Sequence, residues 1–180
     1  MFRICFIIAC VYFLFVSETK GQTIIVRGKP YRGALAWDDF TGNPNKQSPF
    51  SSQTAVRIYP NVSSPKLSGD TVRFRHIEVI MELDSVLSWS RPKERTESLL
   101  LHEQTHFDIA IISAKSYLKK LNETIFTRSN VDSLLNHIHD QSMKEYRDLQ
   151  KRYDEQTRNG KDKQKQQQWN SWVAMKLLED

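Results

Sequence analysis

The spacing of the apolar residues changes along the chain, and this change constrains the fold more than any other feature. From Ile77 to Leu83 apolar and polar side chains alternate, which is typical of a strand with one buried face. Beyond about residue 91 apolar residues recur every three or four positions, which is typical of amphipathic helices. The sequence therefore predicts a single α+β domain, in which a mostly antiparallel N-terminal sheet is followed by three helices.

Strands are predicted where β-branched and aromatic residues cluster between turn residues. Residues 71–87 give the strongest pattern, and residues 23–27, 35–40 and 51–59 give weaker ones. Residues 61–70 are rich in Ser, Pro and Gly, and this composition predicts a loop.

The first helix is predicted at residues 93–122, with Ser90 as its cap and Pro92 in its first turn. Its core-facing stripe comprises Leu100, Phe107, Ile111, Ala114 and Leu118. A second helix is predicted from residue 131 to a break at residues 158–160. A third helix follows, and it is predicted to dock because Trp169, Trp172, Val173 and Leu177 share one face.

The N-terminus predicts export. An apolar run at residues 4–16 follows Arg3 and is shorter than the roughly 20 residues of a membrane-spanning helix. Residues 1–21 are therefore predicted to be a secretory signal peptide, and residues 22–180 the mature domain, located in the periplasm, at the cell surface or outside the cell. The alternative is a buried N-terminal helix. A lipid anchor at Cys10 is disfavoured because most of the apolar run follows this residue.

Export would leave a domain without cysteine, because Cys5 and Cys10 both lie in the predicted signal. The chain has a net charge of +5, of which residues 1–21 contribute +1, so the mature domain carries +4. Its basic residues are interspersed with acidic ones, which argues against a nucleic-acid interface. No transmembrane segment is predicted in the mature domain.

A His-Glu-x-x-His motif, His102-Glu103-Gln104-Thr105-His106, lies in the first predicted helix. Residues four apart lie on the same side of a helix, so both imidazoles can bind one ion, and zinc is the expected one. Glu103 projects about 100° away and is predicted to act as a general base toward a water on the zinc. The motif lies off the core stripe and so is expected to face a cleft. Alternatively, the motif arose by chance, and its histidines are polar surface residues of a structural envelope protein.

A catalytic zinc needs a third protein ligand. The extended motif, in which a third histidine follows the second by six residues, is absent, because Ile109 and Ile112 occupy its Gly and His positions. Spacing does not select among the remaining candidates, which are Glu123, His137, His139, Asp140, Glu145 and Asp154.

Three stretches carry a resemblance to a known family. They are Trp37-Asp38-Asp39-Phe40-Thr41-Gly42, then His102-Glu103-Gln104-Thr105-His106-Phe107-Asp108, and then Tyr153-Asp154-Glu155-Gln156-Thr157 with Gln166 and Trp169 beyond it. In this order they resemble the motifs of a bacterial domain family of unknown function, described as predicted secreted zinc-dependent proteases. The resemblance implies a zincin-like domain that is exported and binds zinc through His102 and His106.

The chain departs from this family at one position. The family places a His two residues after the motif Thr, and the resemblance implies that this His is the third ligand, but the chain has Asn159 there. An amide oxygen is a poor zinc ligand beside imidazole or carboxylate. Two hypotheses follow. The first is a secreted zinc metallopeptidase acting on a peptide or protein with Glu103 as base. The second is an inactive relative that serves as a binding or scaffold module in the cell envelope.

The other matched residues have simpler predicted roles. Trp37 and Phe40 are expected to be core anchors. Asp108 is expected to be a buried hydrogen-bond partner, near the metal site in one interpretation. Tyr153 and Asp154 are expected either to orient a ligand or stabilise a tetrahedral intermediate, or to tie the second helix to the first.

Overall fold

The computed structural model describes residues 20–179. The predicted signal peptide lies outside the described residues except for its last two positions, which begin the first strand. The strands and helices, in chain order, are β1 (Lys20–Val26), β2 (Lys29–Pro30), β3 (Ser52–Gln53), β4 (Val56–Val62), β5 (Pro65–Ser68), β6 (Thr71–Phe74), β7 (Ile77–Leu83), β8 (Trp89–Ser90), α1 (Glu97–Glu123), β9 (Phe126–Thr127), α2 (Val131–Thr157) and α3 (Lys163–Leu178).

The main sheet has four strands in the order β2-β1-β7-β4 and lies against α1. Within it β7 pairs antiparallel with β4 and parallel with β1, so the sheet is mixed. The alternation in β7 is confirmed: Ile77, Val79, Met81 and Leu83 are buried, while the residues between them are partly exposed. The predicted α+β class is therefore confirmed.

Several predicted strands differ from the observed ones. Residues 71–87 do not form one strand, because the chain breaks after β6, which pairs with β5 and β9 in a separate sheet. The predicted loop at residues 61–70 contains β5, which pairs with β6 across a turn at Gly69, where φ is +64°. Pro and Ser are compatible with a short edge strand as well as with a loop, so composition alone did not predict β5. Residues 51–59 are likewise divided between β3 and β4.

Residues 35–40 were also predicted as a strand, and this is wrong. Trp37–Asp39 form a turn of 3₁₀ helix, in which the Asp39 carboxylate accepts a hydrogen bond of 2.8 Å from the backbone N–H of Ala36. The rings of Trp37 and Phe40 pack together with their centroids 5.3 Å apart. Phe40 is buried and Trp37 is partly buried against the main core, so their prediction as core anchors is confirmed.

Helix α1 begins at Glu97, four residues later than predicted, because Thr96 is its cap. The Thr96 hydroxyl accepts a hydrogen bond of 3.1 Å from the N–H of Leu99, whereas Ser90 belongs to β8. The predicted stripe faces the sheet, with Phe107, Ile111 and Ala114 buried and its two outer members partly buried.

Helices α2 and α3 cover the other side of α1. Helix α2 begins after Asn130, as predicted, and ends in a left-handed turn at residues 158–160. Helix α3 docks as predicted: Trp169 and Val173 form a second buried cluster with Ile109 and Tyr153. Both sides of α1 are therefore covered. Among the described residues, no helix is long and apolar enough to cross a membrane.

Candidate metal centre

The two histidines of the motif point at each other along α1. His102 is buried, with 4% of its surface exposed, and His106 is partly buried. Their Nε2 atoms lie 3.2 Å apart, because a spacing of four residues places both rings on one side of the helix. Their rings are nearly perpendicular, with an interplanar angle of 83°. Both side chains thus offer the same ring nitrogen to a common point.

Asp154 of α2 brings a carboxylate to the same point. Its Oδ1 lies 3.3 Å from Nε2 of His102 and 3.0 Å from Nε2 of His106. These are the three residues among those described that could hold a metal ion together. The structure therefore selects Asp154 from the candidates that the sequence left open.

The three atoms fit a tetrahedral ion. Ligands at the 2.0–2.1 Å distances of zinc stand about 3.3–3.4 Å apart at the corners of a tetrahedron. The observed separations of 3.0, 3.2 and 3.3 Å are close to one face of such a figure. Two imidazoles and one carboxylate are also the donor set of one kind of catalytic zinc site, which keeps its fourth position open.

Burial and hydrogen bonding shift the pKa values of this group in opposite directions. Burial would raise the pKa of Asp154, but the hydrogen bonds and charge from His102 and His106 outweigh it and hold this pKa well below its usual value. Burial would lower the pKa of His106, but the hydrogen bond to Asp154 and the charges of Glu103 and Asp154 raise it overall. Each shift favours the charged form of its group, so the two side chains stabilise opposite charges on each other.

Glu103 lies beside the three-residue group and is tied to the opposite wall. It is buried, with 3% of its surface exposed. The Ser52 hydroxyl donates a hydrogen bond to its Oε1, and the Thr54 hydroxyl donates one to its Oε2. Ser52 belongs to β3 and Thr54 directly follows this strand. The sheet edge therefore fixes the direction of the Glu103 carboxylate.

A cleft of about 520 Å³ opens over these residues. Helix α1 supplies its floor, residues 49–54 form one wall, and the second half of α2 with the turn after it forms the other. His102, Glu103, His106 and Asp154 all line it. The expectation that the motif faces a cleft is thus confirmed.

Tyr153 contacts His102 through both its ring and its hydroxyl. The ring of His102 stacks on the ring of Tyr153, with centroids 4.8 Å apart and an interplanar angle of 23°. Tyr153 is fully buried, and its hydroxyl donates a hydrogen bond of 3.2 Å to the carbonyl of His102. These contacts tie α2 to α1 and also fix the orientation of the His102 ring.

The other candidate ligands lie away from this group. His139 Nδ1 is 3.3 Å from the Tyr117 hydroxyl, and Glu145 pairs with Lys120. The remaining three are exposed: Glu123, His137 and Asp140. Asn159 lines the cleft, and its backbone N–H donates a hydrogen bond of 2.9 Å to the carbonyl of Asp154.

Asp108 is a partly buried hydrogen-bond partner of Gln104, and it does not line the cleft. Its carboxylate accepts a bond of 2.7 Å from the Gln104 amide, which also donates 2.8 Å to the Tyr31 hydroxyl. This network joins α1 to the N-terminal segment, on the side away from α2. Burial raises the pKa of Asp108 above its usual value.

Two glutamines contact the histidine rings, and the sequence did not predict either contact. The side-chain oxygen of Gln150 accepts from Nδ1 of His106, and that of Gln166 lies 3.1 Å from Nδ1 of His102. One signal was available for Gln150: it precedes Asp154 by four residues, so both share one face of α2. For Gln166 no spacing rule applied, because the turn between α2 and α3 sets its position.

The fold and site define an α+β protein whose central helix carries a His-Glu-x-x-His motif and whose second helix adds a carboxylate to it. Residues 82–162 match the family model described as Bacterial protein of unknown function (DUF922), and the chain is similar to that family over this stretch. The stretch includes His102, Glu103, His106 and Asp154 but ends before Gln166. No curated protein and no solved structure matches the chain.

Proposed function

We propose that this protein is an exported zinc-dependent hydrolase of peptide bonds with a zincin-like domain. One observation carries the proposal: Nε2 of His102, Nε2 of His106 and Oδ1 of Asp154 converge within 3.3 Å of one another beside a buried glutamate. His102, His106 and Asp154 would hold the ion. Zinc held in such a site acts as a Lewis acid that lowers the pKa of a coordinated water toward about 7.

Glu103 is the proton acceptor in this proposal. It directly follows the first ligand on α1, and it lines the cleft in which a substrate would bind. The hydroxyls of Ser52 and Thr54 aim its carboxylate, so little reorganisation is needed when a proton moves to it. It would then pass the proton to the leaving amine, as a general acid.

The walls of the cleft suit an extended peptide. Residues 49–54 run along one side and include β3, a two-residue edge strand that pairs with β8. Backbone groups at a sheet edge can accept another strand by main-chain hydrogen bonds. A peptide added there would lie across the three-residue group.

A second candidate function is a metal-binding module without catalysis. It is favoured by the hydrogen bonds of Glu103, because both carboxylate oxygens are already engaged by hydroxyls. These bonds occupy two of the four lone-pair sites of the carboxylate, so a proton from water would have to reach one of the remaining two.

The test compares variants of α1 in the purified protein. We expect wild type to bind one zinc and to cleave members of a quenched peptide library. Glu103→Gln should keep its zinc and lose at least about 100-fold in hydrolysis, whereas His106→Ala should lose both. Glu123→Gln, an exposed carboxylate on the same helix, is the matched control. Zinc-loaded wild type that cleaves nothing would favour the module without catalysis.

Export is part of the same proposal. The mass of the protein recovered outside the cytoplasm should correspond to a chain that begins near Gln22. A mass that includes residues 1–21, or a lipid on Cys10, would contradict it.

A further inference from the structure

We propose that Gln150 and Gln166 are positioning residues that keep His102 and His106 in the tautomer that binds a metal, with Nδ1 protonated and Nε2 free. The inference rests on the proposed metal centre. Its basis is that each Nδ1 faces a glutamine side-chain oxygen: Gln166 Oε1 for His102 and Gln150 Oε1 for His106.

The orientation of the Gln150 amide follows from its other contact. Gln150 Nε2 lies 2.8 Å from the backbone oxygen of His106. A carbonyl oxygen only accepts hydrogen bonds, so the amide nitrogen must face it, and Oε1 must face the imidazole. Because Oε1 also only accepts, Nδ1 of His106 carries the proton. The lone pair is then on Nε2, which points at Asp154 and His102.

Gln166 is oriented in the same way by a chain of bonds. Its Nε2 lies 2.7 Å from the Tyr153 hydroxyl and 2.8 Å from Oδ1 of Asn170. Oδ1 of Asn170 only accepts, so the amide nitrogen of Gln166 faces it. Oε1 of Gln166 lies 2.9 Å from the Tyr153 hydroxyl, which can donate either to this oxygen or to the carbonyl of His102. This arrangement turns Oε1 of Gln166 toward Nδ1 of His102. Gln166 is buried, so water does not compete for these bonds.

The two glutamines come from different helices, and this makes α3 part of the site although it supplies no ligand. One turn of α2 holds Gln150 and Asp154 on one face, while α3 reaches His102 from the other side. Partners of this kind fix the ring orientation of a metal-binding histidine, and losing one typically costs 10–100-fold in metal affinity. Carboxylates often serve in this position. Neutral amides orient the rings without adding negative charge.

The experiment has two readouts on the full-length protein. The first is the nitrogen NMR signature of the histidine rings in chelator-treated protein, recorded at a pH above their titration and assigned with single histidine variants. We expect His102 and His106 both to show the Nδ1–H tautomer. The second is zinc affinity, measured by competition with a chromogenic chelator.

Four variants separate a positioning role from a structural one. Gln150→Leu and Gln166→Leu should each lower zinc affinity about 10–100-fold and lose the fixed tautomer of one ring. Gln166→Glu keeps an acceptor for Nδ1–H and should retain both. Gln156→Leu is the matched control, because Gln156 also lies on α2 and accepts an N–H bond from α3, but from Trp169, away from the site.

Leu variants that are folded by circular dichroism, and that keep the tautomer and zinc affinity within twofold of wild type, would overturn the inference. If Gln166→Leu does not fold, Gln150→Leu at its partly exposed position decides the matter. If wild type binds no zinc, the proposed function fails, but the tautomer measurement still supports or overturns the role of the glutamines.

Discussion

Gly160 lies directly against the imidazole of His102. A Cβ atom at position 160 would stand 3.1 Å from Cγ and 3.2 Å from Nδ1 of that ring. Gly160 also has a φ of +77°, in the left-handed region that favours glycine. The turn that ends α2 therefore packs against the imidazole ring of His102.

We predict that Gly160→Ala weakens zinc binding as well as folding. The left-handed backbone should cost about 1–2 kcal/mol in the free energy of unfolding, and the new methyl group should displace the His102 ring. Zinc affinity should fall several-fold. Gly69→Ala is the matched control: its φ is +64°, and a Cβ there meets nothing within 4 Å. Both variants should lose stability in urea, and only Gly160→Ala should lose zinc affinity.

We also predict that Asp154, and not Asn159, is the third zinc ligand. Asp154→Asn should weaken zinc binding by at least about 10–100-fold, the range seen even for residues one step removed from a metal. Asn159→Ala should leave the affinity within about threefold, and Asp148→Asn on the exposed side of α2 should have no effect.

Asn159→His introduces the residue that the resembled family has at this position. Since Asn159 lines the same cleft, a histidine there should tighten zinc binding and partly rescue Asp154→Asn. Zinc affinity that is unchanged in Asp154→Asn but reduced in Asn159→Ala would contradict the assignment.

The fold could be predicted to the level of element type but not of pairing. The alternation at residues 77–83 identified β7, because burial on one face leaves a period of two in the sequence. The prediction of Ser90 as the cap is wrong, because Ser90 pairs in β8 and Thr96 caps the helix instead. Both hydroxyls can accept a backbone N–H, so the choice depends on the pairing of β8. Strand β5 carries no apolar alternation, because all four of its residues are exposed.

The site could be predicted only where its residues share one helix. His102, Glu103 and His106 follow from helical geometry, but Asp154 depends on how α2 crosses α1. That crossing is set by contacts far apart in the sequence, such as Tyr153 against His102. The hydroxyls of Ser52 and Thr54 were not identified for the same reason, because β3 reaches α1 only in the folded protein.

We predict that the main core depends on Phe107. This side chain is fully buried between α1 and the sheet, and its ring lies edge-on to Tyr31 at a centroid distance of 5.0 Å. Phe107→Ala should lower the free energy of unfolding by about 3–5 kcal/mol, since it leaves a cavity. Leu101→Ala, at a position that is 47% exposed on the same helix, should cost less than about 1 kcal/mol. Urea denaturation followed by circular dichroism measures both.

We predict that the stability of the metal-free protein depends on pH through Asp154 and His106. The lowered pKa of Asp154 means that its contribution is present above the unfolded value of about 3.9 and is lost as pH falls through the folded value. The raised pKa of His106 means that its contribution is fully present below the unfolded value of about 6.5 and is lost as pH rises through the folded value. The pair therefore stabilises the chain most between about pH 4 and 6.5, where Asp154 is ionised and His106 is protonated.

Thermal unfolding of wild type and Asp154→Asn in the presence of a chelator tests this window. The deficit in Tm of Asp154→Asn should be larger at pH 5.5 than at pH 9, because a neutral His106 loses its charge attraction to the carboxylate. Asp148→Asn should show equal Tm differences at the two pH values, since its partner Lys144 stays charged at both. With zinc added, the Tm of wild type should instead increase from pH 5.5 to pH 9, because zinc binds the deprotonated imidazoles and stabilises the folded state more as pH rises. An equal deficit for Asp154→Asn at pH 5.5 and pH 9 without metal would show that the contact between His106 and Asp154 does not persist in solution.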